Sequence, residues 1–63
     1  MTDPEHRHVT AAARDTLAMS NRDAWRAMET YLRTAGVTGP VVDTLRRAAW
    51  VERKRLRKEA TGP

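Results

Sequence analysis

Three observations predict an all-α fold for this chain. Residues recur at helical rather than alternating spacing: from Leu17 a largely apolar stripe steps through Asn21, Ala24, Met28, Tyr31 and Ala35 in fours and threes. Between Val9 and Ala35 there is no glycine or proline, and Ala, Leu, Met, Arg and Glu, all good helix formers, recur. Punctuation then arrives in one place, Gly36 followed by Thr38-Gly39-Pro40, after which a second helical pattern begins.

Taken in order, residues 1–8 (MTDPEHRH) are polar, include Pro4, and read as a mobile tail. His6 and His8 beside Glu5 lack the further ligands at defined spacing that a metal site needs, so neither a metal nor any other cofactor is expected. A long helix is predicted over 9–35. Ser20, with Asp23 three residues on, resembles a capping box and is the one point where that helix can break; the stripe keeps its phase across it, which favours continuity. Gly36 is placed to end the helix in a left-handed conformation, with Val37 packing back on its end. Thr38 reads as the next N-cap, with Pro40 in the first turn. The second helix should run over about 39–59, and 61–63 should fray.

Two helices in a chain of 63 residues bury little apolar surface. The expected architecture is therefore a helical hairpin completed as a four-helix bundle by dimerisation. Its packing residues are Leu17, Ala24, Met28, Tyr31 and Leu32 on the first helix, and Val41, Val42, Leu45, Ala49 and Leu56 on the second. Glu52 falls inside the apolar arc, where it is expected to pair with an arginine or reach water. Trp25 belongs at the edge of the first helix's stripe.

The net charge of +4 is unevenly spread. Residues 1–30 are nearly balanced, whereas residues 46–58 carry Arg46, Arg47, Arg53, Lys54, Arg55, Arg57 and Lys58 against Glu52 alone. Such asymmetry points to an anionic partner. Arg46, Arg47, Arg53, Lys54, Arg57 and Lys58 are assigned to the arc opposite the packing face, with Trp50 in their midst, about 130° from the centre of the apolar arc. A tryptophan there can anchor a partner or stack with guanidinium groups.

The segment around Gly36 resembles the common bacterial helix-turn-helix, in which the helix after the turn lies in the major groove. Gly36 stands as the turn glycine, and Val37, Val42 and Leu45 occupy its apolar positions. Leu32 stands where that pattern has a small residue. Gly39, Pro40, Asp43 and Thr44 occupy the positions that would face bases, and two of them carry no polar side chain. The segment therefore reads as a hairpin bend.

Among function classes, an enzyme is not expected: the sequence has no Gly-rich phosphate loop, no ligand set and no nucleophile-base spacing. There is no cysteine, no apolar run near the ~20 residues of a membrane span, and no apolar signal-like segment near residue 1. A bacterial cytoplasmic setting is expected. The leading expectation is a nucleic-acid-associated accessory or regulatory factor acting through the basic second helix. The alternative is a homodimeric hairpin adaptor that binds an acidic protein surface; an anionic membrane surface is the weakest of the three, for want of a bulky apolar face.

Overall fold

The computed structural model describes residues 1–61 of the chain and shows three helices packed together: α1 (Asp3–Asp15), α2 (Asn21–Thr34) and α3 (Pro40–Thr61). The long first helix of the hairpin is two helices. Of the residues expected to fray, Thr61 closes α3, and 62–63 lie outside the described residues.

The eight residues expected to form a tail belong mostly to α1, because their polar groups close the end of a helix. Thr2 is the N-cap. Its hydroxyl accepts from the Glu5 amide at 3.4 Å, and its own amide donates to Glu5 Oε1 at 2.9 Å, a reciprocal capping box. Pro4 sits in the first turn, where a missing N–H costs little, and Asp3 and Glu5 place negative charge at the positive end of the helix dipole.

The break between α1 and α2 comes from side chains that satisfy the backbone where the helix stops. The Thr16 hydroxyl donates back to the Ala12 carbonyl at 2.8 Å and the Ala13 carbonyl at 3.2 Å. Residues 16–19 form a turn, and Ser20 caps α2 by accepting from the Asp23 amide at 3.3 Å. The capping signal at Ser20 therefore prevails over the unbroken apolar phase.

The second connection closes as its glycine predicts. The Val37 amide donates to the Leu32 carbonyl at 3.0 Å and the Gly36 amide to the Arg33 carbonyl at 3.1 Å, the paired bonds of a Schellman ending, with Gly36 at φ +96°. Val37 packs against the core. Gly39, at φ +64°, directly precedes α3, so the residue before the helix is one beyond the Thr38 cap that the sequence predicts.

Both α1 and α2 pack on α3, and contact between α1 and α2 is the lesser of the three pairings. The core joins Val9 and Ala12 of α1, Met28 and Leu32 of α2, and Val42, Leu45 and Ala49 of α3. Part of the apolar face of α3 is thus covered by α1. Small residues dominate the α1 side: Ala12 and Ala13 are fully buried, which lets the helices lie close. Among the described residues no helix is long and apolar enough to cross a membrane.

Candidate anionic-ligand interface

Two neighbours give α3 a wide buried arc. In angular order around the helix, Leu45, Ala49, Val42, Arg53, Arg46 and Trp50 follow one another over about 140°. The arc is displaced by roughly 60° from the purely apolar one read in the sequence. That displacement moves three members of the expected basic face, Arg46, Trp50 and Arg53, into packing contacts. It also leaves Val41, expected in the core, 41% exposed.

Arg53 is 1% exposed and is the largest fully buried side chain of the described residues. Its Nε donates to the Thr16 carbonyl at 2.9 Å, one terminal nitrogen to the Met19 carbonyl at 2.6 Å, and the other to Asn21 Oδ1 at 2.9 Å. The guanidinium carbon stands 5.1 Å from the centre of the Trp50 ring. Burial, with the charge of Arg57 adding to it, pulls the guanidinium below its ordinary pKa; arginine's starting value is so high that the group stays charged. Arg53 therefore serves as an internal cap for the α1–α2 turn and is withdrawn from any ligand.

Arg46 is withdrawn in a similar way. Its side chain is 15% exposed, with the guanidinium 4.2 Å from the centre of the Trp25 ring, and it bridges Glu29 of α2 at 3.1 Å and Asp43 at 3.0 Å. Its Nε is buried with no hydrogen-bond partner among the described residues. Trp25 and Trp50 meet edge to face, with centroids 5.4 Å apart and planes at 88°. Arg46, Trp25, Trp50 and Arg53 thus form one continuous row along the α2–α3 seam, two rings between two guanidinium groups. Trp25 takes the core-edge place predicted for it, and half-buried Trp50 packs on the core instead of standing in the basic surface.

What remains outward on α3 is one stripe. Arg47, Val51, Lys54 and Lys58 follow at intervals of four, three and four residues, and all are exposed. Arg57 is exposed beside them, toward the turn that Arg53 caps; with Leu17, Ala18 and Ala60 it lines a shallow, largely apolar hollow of about 300 Å³. Of the acids on α3, Asp43 stands one turn before Arg47 and pairs with Arg46, while Glu52 and Glu59 lie on another flank. Arg55 binds Glu52 at 2.7 Å and Glu59 at 2.6 Å, both more than about 100° round the helix from the stripe. Hydrogen bonds from Arg55 hold the Glu52 carboxyl below the usual carboxylate range, and the charges of Arg55, His6 and Arg14 act in the same direction; the same pairing raises Arg55. Glu52 is thus half-buried and paired with an arginine, as its place in the sequence predicts.

The remaining predicted packing residues divide by depth. Ala24, Met28, Leu32, Val42, Leu45 and Ala49 are buried, whereas Leu17, Tyr31 and Leu56 are half-buried. The sequence reading missed Thr16 and Asn21 as Arg53 acceptors and Glu29 as the α2 partner of Arg46. One signal was present: Arg53 lies only about 40° from Ala49 on the α3 wheel. No protein-family model, no curated protein and no solved structure matches the chain.

Proposed function

We propose that this protein is a small nucleic-acid-associated accessory factor that holds backbone phosphates through the outward stripe of α3, chiefly through Arg47 and Lys54, with Lys58 continuing it. The observation that carries this reading is the separation of charge on α3: Arg46 and Arg53 turn inward, Asp43 pairs with Arg46, Glu52 and Glu59 are drawn to Arg55 on another flank, and Arg47 and Lys54 stand outward. Rises of about 10 Å from Arg47 to Lys54 and 6 Å from Lys54 to Lys58 set the cations along a line that a phosphate backbone can follow. Long flexible cations held in this way bind phosphate and carry little sequence information. The first turn of α3 offers Pro40, Val41, Val42 and Asp43, a poor set for reading base edges.

Titration of labelled random duplex DNA tests the reading. Two to three phosphate contacts give a log–log salt slope of about −2 to −3, or a loss of roughly ten- to fortyfold between 50 and 200 mM salt. Arg47→Ala and Lys54→Ala should each flatten the slope by about one unit and weaken all sequences alike. Arg7→Ala, which removes an exposed cation from α1, should leave the slope unchanged. Absence of binding at the lowest salt, to duplex and single strand alike, refutes the proposal.

The adaptor reading draws on one observation, Val51, which is 68% exposed within the same stripe. A self-associating form would double the mass in sedimentation equilibrium, and Val51→Ser would restore the monomer.

A further inference from the structure

We infer that the nucleic acid taken by this face is duplex DNA rather than a single strand, held with no base stacked on the protein. The inference rests on the phosphate reading above and adds the class of ligand.

Proteins that hold single strands combine a cationic groove with aromatic faces on which unpaired bases stack, and each such stack is worth roughly five- to 150-fold in affinity. This chain has three aromatic rings of the indole and phenol type, Trp25, Trp50 and Tyr31, and each is already occupied. Trp25 lies under the Arg46 guanidinium and Trp50 under that of Arg53, while the two indoles are packed edge to face. Tyr31 packs on the core and meets the His8 ring edge-on, with centroids 6.4 Å apart. The outward stripe itself carries Arg47, Val51, Lys54 and Lys58, with no ring among them. To open an indole face, a base would have to displace a guanidinium. For Arg53 that means abandoning three hydrogen bonds that hold the α1–α2 turn.

With stacking absent, the choice of ligand falls to charge density. Each neutralised phosphate contributes about 0.9 to the salt slope on a duplex and about 0.7 on a single strand. For two to three contacts, extrapolated from 1 M, that difference favours the duplex by roughly three- to sixfold at 50 mM salt. A single stacked base would be enough to cancel or reverse so small a preference.

The experiment compares anisotropy titrations of a labelled duplex and a single strand of the same length, at about 50 mM salt, while indole fluorescence is followed in the same cuvette. The expected result is tighter binding of the duplex, no quenching of either tryptophan at saturation, and affinity for both ligands unchanged in the Trp50→Phe variant. Equal or tighter binding of the single strand, or quenching that Trp50→Phe abolishes, overturns the duplex inference and leaves the phosphate reading standing. Binding to neither ligand removes both.

Discussion

The Arg53 side chain donates to the Thr16 carbonyl across 2.9 Å and thirty-seven positions of sequence, tying the end of α1 to the second half of α3. With Met19 and Asn21 as its other acceptors, it supplies donors to a turn that would otherwise bury carbonyls unpaired. Arg53→Ala should cost on the order of 3 kcal/mol in chemical denaturation, since charged hydrogen bonds are lost together and their acceptors are left behind. Arg53→Lys should recover less than half of that, because one ammonium cannot reproduce a planar fork. A loss below about 1 kcal/mol for the alanine variant would mean that the turn holds itself.

Core and surface positions of α3 should separate cleanly. Leu45 is 1% exposed and in the central cluster, so Leu45→Ala should cost about 2–5 kcal/mol. Val41→Ala, one turn earlier, should stay within about 0.5 kcal/mol of the wild type. Similar costs for the two would contradict the rotated packing arc.

Removing residues 1–8 should lower the melting temperature by about 5 °C or more, since α1 would lose its cap and its first turns. Amide exchange along α1 gives a second readout, with protection at Val9 reduced in the shortened chain.

The capping box also carries a pH signature. Hydrogen bonds from the Thr2 backbone and hydroxyl hold the Glu5 carboxyl below its ordinary value of 4.5. A carboxyl depressed in the folded state stabilises above its unfolded value, and that contribution disappears as pH falls through the folded one. Between about pH 5 and pH 3, wild type should lose stability relative to Glu5→Gln, whose amide can still accept from Thr2. Parallel melting curves for the two proteins across that window would contradict the assignment.

Gly36 and Gly39 should differ in what they tolerate. Neither has an atom within 4 Å of where a Cβ would stand, so substitution tests backbone conformation alone. At φ +64° Gly39 lies in the left-handed region open to Asn, and Gly39→Asn should cost less than Gly39→Ala. At φ +96° Gly36 lies beyond that region, and asparagine should give no such relief. Melting of the four variants decides.

The elements legible in the sequence are those specified by neighbours along the chain. Gly36 and Val37 announced their helix ending, Ser20 announced a cap, and the 3–4 spacing through Met28 and Leu32 marked the α2 core. Thr2 and Glu5 stand at capping-box spacing too, but polarity and Pro4 masked them as a tail. The basic face was only half legible, because a hydrophobic wheel assigns every arginine to solvent. Arg53 is buried by acceptors 32 to 37 residues away, and Arg46 is held partly by Glu29, 17 residues away. No local pattern encodes those partners. The outward cations Arg47 and Lys54 were found because nothing distant among the described residues claims them.

The dominance of the α1–α3 pairing has a kinetic consequence. The α2–α3 hairpin closes over a short turn, whereas α1 must dock on the helix that is not its neighbour in sequence, and loop closure precedes any reward from that contact. The Arg53 bond to the Thr16 carbonyl joins the end of α1 to α3 and so depends on this docking. Substitution of Arg53 should therefore steepen escape from the native state more than it slows arrival: in stopped-flow chevrons the unfolding arm should rise while the refolding arm barely moves. The guanidinium would then act as a latch on the lifetime of the folded chain, set after the transition state has passed.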